Sequence, residues 1–294
     1  MGNRRIGARR IEALVDNLLD HGQINGINGS QFVLCDPDRY HLEEWFEQRP
    51  ALNATNIIDP DANDATALAA FVAANKNFEI LGTNASDDDV TFSSTIAGIQ
   101  LQTDGGDNDS VIVLPHLDTN QTAWSGCKWG TENQTQWECM IRTDSAVADM
   151  CFYAGLKLTN TEAYATDDDQ VYFLYDSSDD SGTLTTNANL HVVYSVAGTD
   201  YISDLGIAVA AATNYRLAIT IDSSRKASAW VNGVQYSLTP LTTAGGVATG
   251  KGSAKSLALT NDVDFIPYVG VKARTGSAKT LHLSYIKASR IIFE

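Results

Sequence analysis

The sequence of 294 residues lacks the short motifs that usually identify an enzyme. Its four cysteines form no CxxC pair and show no metal-type spacing, and its five histidines are scattered without a zinc-type pair. It also has no Gly-x-Ser-x-Gly motif of the kind that positions a nucleophilic serine. Nucleophilic and zinc-dependent catalysis therefore have no support, and we predict that the chain is not an enzyme.

Long apolar runs are also missing. No stretch approaches the 18 apolar residues that a membrane-spanning helix needs, and the arginine-rich start lacks the apolar region of a secretory signal peptide. We therefore expect no membrane partner and folding in a reducing cytosol, where thiols stay free. In "QWECMIR", Cys139 shares a face with Trp137 and Ile141, which fits a buried free thiol.

Positive charge is scarce, with 20 Lys and Arg against 36 Asp and Glu and a net charge of −16. Four of the positive charges, Arg4, Arg5, Arg9 and Arg10, lie within the first ten residues, so the rest of the chain is more acidic still. Such a body repels nucleic acid and anionic membranes. We predict that nucleic acid is not a partner.

Helical periodicity is confined to residues 1–76. Apolar residues recur at helical spacing in three short segments, and each segment has one narrow apolar stripe that needs an outside surface to cover it. Joints rich in Gly, Asn and Pro separate them. The segments are "RRIGARRIEALVDNLLDHG", "DRYHLEEWFEQRP" and "DANDATALAAFVAANK". We predict that residues 1–76 form an N-terminal arm of short α-helices.

From residue 77 onward the apolar period changes to two. About a dozen short strands follow without intervening helices, separated by turn clusters such as "DGGDND" and "DSSDDSG". Regular short strands of this kind are typical of an antiparallel sandwich or barrel. We predict a mainly β fold over residues 77–294. The strands are "NFEIL", "AGIQLQT", "SVIVL", "QWECMIR", "MCFYAGLKL", "QVYFLYD", "LHVVYSV", "LGIAVA", "YRLAITID", "KASAWVN", "VQYSL", "FIPYVGVKA" and "KTLHLSYIKA".

Alternation within the strands assigns side chains to faces. In "KTLHLSYI" it places Leu281, Leu283 and Tyr285 together, opposite His282 and Ser284. In "KASAWVNGV" it places Trp230 opposite the small face of the strand, and the Asn-Gly pair that follows predicts a type I′ hairpin turn. Periodicity alone leaves open whether the face of Trp230 is buried.

The segment "NYRLAITIDSSRKASAWVNGVQYSL" resembles concanavalin A-like (laminin G-like) jelly-roll domains, and "QWECMIRTDSAVADMCFYAGLKLTNT" with "DDDQVYFLYD" is similar to the same family. The whole pattern resembles virion structural proteins of tailed bacteriophages of aquatic hosts. Its elements are "MGNRRIGARRIEAL", "NFEILGTNASDDDVTFSSTIAGIQLQTDGG", "LPHLDTNQTAW" and "SYIKASRIIFE". The resemblance implies a two-sheet jelly-roll sandwich.

The resemblance also implies a role as a decoration or cement protein on the phage head, folded and assembled in the host cytoplasm. The arm would dock on the major capsid protein and other virion proteins, since arginine pairs with carboxylates in bidentate fashion. A homo-oligomer is implied, and a trimer suits the local three-fold positions of capsids. The docking residues would be Arg4, Arg5, Arg9, Arg10, Leu14 and Leu18.

An alternative implied by the same resemblance is a carbohydrate-binding module of the head surface or tail, used in host adhesion. Trp124, Trp129 and Trp230 are the candidate aromatics for a ligand or an interface. The Glu-x-Asp-x-x-Glu strand of related jelly-roll hydrolases, which pairs two carboxylates for glycosidic cleavage, is missing.

The acidic clusters lie in predicted turns, where Asp is favoured for its own local hydrogen bonds. We therefore expect no cofactor. One alternative stays open at this stage, because carboxylate oxygens suit Ca²⁺. The candidate ligands are Asp104, Asp107 and Asp109, or Asp167 to Asp169.

Overall fold

The computed structural model describes residues 38–52, 75–115, 129–159, 167–179, 184, 186–238 and 257–292. The helix predicted over residues 4–22 lies outside these residues, as do the predicted docking residues of the arm. Of the helix predicted over residues 61–76, only Asn75 and Lys76 are described, and they belong to a strand. Among the described residues, no helix is long and apolar enough to cross a membrane.

Seventeen strands and one short 3-10 helix (Asp87–Asp89) make up the regular structure of the described residues. The strands are β1 (Arg39–Glu44), β2 (Pro50–Leu52), β3 (Asn75–Leu81), β4 (Val90–Phe92), β5 (Ile99–Gln102), β6 (Ser110–Pro115), β7 (Trp129–Gly130), β8 (Gln136–Thr143), β9 (Met150–Lys157), β10 (Gln170–Asp176), β11 (Asn189–Val196), β12 (Thr199–Ala208), β13 (Asn214–Ile221), β14 (Ala227–Val231), β15 (Val234–Tyr236), β16 (Asp264–Ala273) and β17 (Thr280–Ile291).

The strands form two sheets. The first has the order β15-β14-β13-β8-β17-β5-β4, with β1 also paired to β17. The second has the order β12-β11-β10-β9-β16-β6-β3-β2, with β7 also paired to β16. Every pairing is antiparallel except β2 with β3. The predicted mainly β, two-sheet antiparallel sandwich is confirmed, and each strand predicted beyond residue 77 is found.

The core lies between the sheets and follows from alternation. On β8, Trp137, Cys139 and Ile141 face inward, and on β9 Phe152 and Leu156 meet them from the second sheet. Burial of these apolar side chains contributes roughly 1.5–3 kcal/mol each. The second sheet is also buried on its outer side, where a second cluster includes residues of β6, β9, β10 and β16. Every residue of β9 and β10 is therefore buried.

The helix predicted over "DRYHLEEWFEQRP" is wrong. Residues 39–44 form β1, which pairs with the end of β17 from Arg39 opposite Ile291 to Glu44 opposite Ile286. The free backbone groups at that edge of β17 need partners, and this long-range pairing overrides a local helical pattern. Residues 38–52, assigned to the arm by periodicity, thus contribute strands to both sheets.

The face predicted for Tyr285 is also wrong. The pairing of β17 with β8 shifts between Leu283 and Tyr285, so that Ser284 is an extra residue in the strand. A bulge of this kind moves the following side chains to the opposite face. Leu283 therefore points into the core, whereas Tyr285 lies on the outer face opposite Met140.

Two further predictions are confirmed. Asn232 and Gly233 both have positive φ, 51° and 78°, as a type I′ turn between β14 and β15 requires. Cys139 and Cys151 are both buried free thiols. Cys139 lies in the core between the sheets, whereas Cys151 lies in the cluster on the outer side of the second sheet. Cys35 and Cys127 lie outside the described residues.

Candidate functional site

A pocket of about 570 Å³ lies on the outer face of the first sheet. Strand register explains how distant residues meet there. Met140 of β8 lies between Arg216 of β13 and Tyr285 of β17, and Glu138 lies opposite Lys287. Outer-face residues of neighbouring strands stand side by side in this way. The lining residues are Trp45, Glu138, Met140, Arg216, Asn232, Tyr285 and Lys287.

Trp45 forms the aromatic wall of the pocket and is 50% exposed. It follows directly after β1, so the pairing of β1 with β17 carries it over the outer face. Its ring lies 4.8 Å from the ring of Tyr285, tilted by 52°, and the Nζ atom of Lys287 lies 4.7 Å from its centroid. Its indole N–H donates to Glu43 Oε1 at 2.6 Å. These three contacts hold the ring in one orientation.

Hydrogen bonds and ion pairs organise the polar part of the pocket. The Tyr285 hydroxyl donates to Glu138 Oε1 at 2.8 Å, and Lys287 Nζ lies 2.8 Å from Glu43 Oε1. Burial, and secondly the neighbouring Glu138 carboxylate, raise the pKa of Tyr285 far above its usual range. Tyr285 therefore stays protonated and donates its hydroxyl to Glu138.

Asn232 and Arg216 complete the rim of the pocket at the hairpin. The Asn232 side-chain oxygen accepts the backbone N–H of Arg216 at 2.9 Å, and the Asn232 backbone N–H donates to the Arg216 carbonyl at 2.8 Å. The Asn-Gly turn that identified the hairpin thus also fixes the Asn232 side chain on the backbone of Arg216, and both residues line the pocket. The pocket combines an aromatic surface with hydrogen-bonding donors and acceptors, which is the usual composition of a small-molecule site.

The three predicted tryptophans have different positions. Trp129 is buried in the core, 1% exposed, with its ring 5.9 Å from that of Tyr40, so it cannot serve as a ligand platform. Trp230 lies on the outer face of the first sheet and is partly buried, with its indole nitrogen 3.5 Å from Thr220 Oγ1. Trp124 lies outside the described residues.

The acidic clusters considered for Ca²⁺ serve local structure. Asp109 accepts the backbone N–H of Gly106 and the amide of Asn84, and Asp167 accepts the backbone N–H groups of Leu158 and Thr159. Across the residues that the structure describes, no group of three His, Cys, Asp or Glu is arranged to hold a metal ion.

One constellation escaped the sequence analysis. Ser93, after β4, lies with its Oγ atom 2.9 Å from Nδ1 of His282 on β17. The same oxygen accepts the backbone N–H groups of Thr95 and Ile96 at 3.1 and 3.2 Å. A hydroxyl has one proton and two lone pairs, so these contacts use its full capacity when it donates to the imidazole. The Ser93 hydroxyl therefore stabilises the turn and has no lone pair left to act as a nucleophile.

The main pocket residues also escaped, for two reasons. Trp45 fell within a segment predicted as a helix, and Tyr285 was assigned to the core face because alternation does not reveal a bulge. For Arg216 a signal exists in the sequence, because alternation in "YRLAITID" places its side chain on the other face of the strand from those of Tyr215 and Leu217.

The described residues thus define a two-sheet β-sandwich with a pocket on one outer face. Several solved structures are similar. Peanut lectin, solved with a nine-residue peptide, is 12% identical, with 87% of this chain and 99% of that chain covered and a TM-score of 0.47. A protein of unknown function from Shewanella oneidensis is also 12% identical, with 86% of each chain covered and a TM-score of 0.47.

A carbohydrate esterase from the Shiga toxin-encoding bacteriophage phi24B is 14% identical, with 73% of this chain and 90% of that chain covered and a TM-score of 0.37. No protein-family model and no curated protein sequence matches the chain. At these identities the likeness concerns the sandwich alone, and function has to be argued from the pocket.

Proposed function

We propose that the chain is a glycan-binding protein and that the pocket on the outer face of the first sheet is its binding site. The observation that carries this proposal is the half-exposed ring of Trp45 beside charged and amide groups. The apolar face of a sugar ring packs on an aromatic surface, while its hydroxyls need donors and acceptors nearby. Arg216 and Asn232 supply such groups at the rim, whereas Glu138 is fully buried beneath them and accepts the hydroxyl of Tyr285.

The rigidity of the platform supports the same proposal. Trp45 is held by the Glu43 hydrogen bond, the Lys287 ammonium and the Tyr285 ring before any ligand arrives. A side chain that is already ordered loses little conformational entropy on binding, so more of the contact energy contributes to affinity.

Glycan arrays followed by calorimetry test the proposal. We expect the full chain to bind at least one glycan and Trp45→Ala to weaken that binding about tenfold or more, as for a dominant contact. Phe92→Ala is the matched control, because Phe92 is 56% exposed but does not line the pocket. It should leave the affinity unchanged.

Two results would overturn the proposal. The first is an absence of glycan binding with and without added Ca²⁺. The second is equal binding by Trp45→Ala and the unmodified protein, with both shown to be folded by thermal unfolding.

The decoration role on a phage head stays a prediction, since all six proposed docking residues lie outside the described residues. Antibody labelling of intact virions, read separately on head and tail, tests it. Labelling of neither structure would exclude it.

A further inference from the structure

A second tryptophan stands in line with the pocket across the first sheet. On the outer face, Trp230 of β14 pairs with Ala218 of β13, and Ala218 pairs with Glu138 of β8. Glu138 in turn pairs with Lys287 of β17, whose ammonium lies against Trp45. One continuous row of side chains therefore joins the two tryptophans.

The length of this row limits what can bind to both ends. From β14 to β17 there are three inter-strand spacings, which amount to about 14 Å. A single sugar ring is too short to contact Trp45 and Trp230 together. Between them the row crosses β13 at Ala218, which has the smallest side chain in the row and is itself buried, 4% exposed.

Polar side chains border the row on the side away from the pocket rim. Thr220 lies between Ser228 and Gln136 on neighbouring strands, and Gln235 of β15 lies opposite Trp230. Hydroxyl and amide groups can both donate and accept, as sugar hydroxyls do. A chain of sugars laid across the strands would meet such groups beyond the pocket as well as within it.

The charges at the pocket end are balanced. Arg216 and Lys287 carry positive charge, whereas Glu138 and Glu43 carry negative charge, and Lys287 is already paired with Glu43. A balanced site gives no electrostatic gain to a strongly anionic ligand. This favours a neutral sugar chain over one rich in sulfate or uronate.

We propose that the ligand is a neutral oligosaccharide laid across the strands of the first sheet, with one sugar at Trp45 and another at Trp230. This inference rests on the proposed glycan-binding function and deepens it by assigning the ligand a minimum length and a charge class. Trp230 is then the second platform of the site.

The test measures affinity by calorimetry for a series of neutral glycans from monosaccharide to hexasaccharide. The sugars and linkages of the series are those of the glycan that binds on the array. For the unmodified protein we expect affinity to rise with length and then level off. Trp230→Ala should lower the affinity for the longest members about tenfold, as for loss of one aromatic contact, and leave the disaccharide unchanged. Trp45→Ala should weaken binding at every length.

A control at the same hairpin is Val234→Ala, because Val234 is exposed on β15 yet is not paired with Trp230. It should bind every length as the unmodified protein does. Thermal unfolding of each variant verifies that the sheet is intact.

The outcomes separate the two proposals. If a monosaccharide binds as tightly as a hexasaccharide, or if Trp230→Ala matches the unmodified protein at all lengths, the oligosaccharide inference is overturned while glycan binding stands. Tighter binding of sulfated or uronate-rich chains would overturn the neutral class. If no glycan binds, the proposed function fails and this inference fails with it.

Discussion

At the scale of single residues, Lys157 shows how far burial changes chemistry in this sandwich. Its side chain is fully buried on the outer side of the second sheet, with Nζ 5.4 Å from the Tyr172 ring and 5.8 Å from the Tyr268 ring. Asp167 lies 3.8 Å away. Burial lowers the pKa of Lys157 from 10.5 to about 8, and the Asp167 carboxylate opposes this shift only in part.

Lys157 should make the free energy of unfolding depend on pH in the alkaline range. Because its folded pKa, about 8, is below its unfolded value of 10.5, the unfolded chain binds more protons between these values, and stability rises with pH there. Urea unfolding should show the stability difference between the unmodified protein and Lys157→Met rising by at most about 3 kcal/mol across this range. A difference that is independent of pH would contradict the lowered pKa.

Residue-scale predictions from sequence had mixed results for the tryptophans. Alternation correctly placed Trp230 opposite Ala227, Ala229 and Val231, and the structure shows that the alanine face is the buried one. Trp129 is buried and Trp45 is exposed, although neither position could be read from periodicity. Exposure of a large aromatic depends on what packs over it, and that is decided by distant parts of the chain.

At the scale of elements, β9 illustrates why close packing of strands restricts the sequence. Gly155 has a φ of 156°, and a Cβ atom added there would lie 2.5 Å from the Cα atom of Tyr172 on β10. That atom belongs to the backbone of the neighbouring strand, so a side chain could not be accommodated without moving β10 away from β9.

We therefore expect Gly155→Ala to destabilise the fold by about 3 kcal/mol, the upper range for overpacking a well-packed region. Gly105→Ala is the matched control, because nothing lies within 4 Å of its added Cβ atom. Thermal or urea unfolding of the two variants gives the comparison. Equal stability of both variants would show that β9 and β10 are not as closely packed as described.

Element-scale predictions were strongest where alternation is uninterrupted. β8, β10 and β13 could be predicted because each has a regular apolar face and no bulge. β1 could not, since its sequence also fits a helical spacing and its strand conformation depends on the edge of β17. The bulge at Ser284 was invisible for the same reason, because it exists only in the pairing of β17 with β8.

At the scale of the whole molecule, the first sheet depends on a segment far from its partner in sequence. β1 pairs with β17 over residues 39–44, and Leu42 and Phe46 are buried in the core, 6% and 1% exposed. Phe46 also packs edge-on against Phe78, with ring centroids 5.5 Å apart. The sandwich is therefore closed by residues that periodicity assigned to an arm.

Two truncations follow from this arrangement. Removal of residues 1–37 takes away no described strand and serves as the reference for the longer deletion. Removal of residues 1–76 also deletes β1, β2 and the first two residues of β3 and exposes the sites of Leu42 and Phe46, which should cost at least about 3 kcal/mol more. It also removes Trp45, so glycan binding should be lost. Equal stability of the two truncated proteins would contradict a structural role for β1.

The sequence by itself determined the mainly β class, thirteen of the strands, the Asn-Gly turn and the acidic charge, because each of these depends on neighbouring residues or on composition. Only the tertiary structure decided the pocket. Trp45, Glu138, Arg216 and Tyr285 come from four strands or their ends, and they meet through long-range register and one bulge. Register is set by pairing between segments that are distant in the chain, as in the pairing of Arg39 with Ile291, and no local pattern records it.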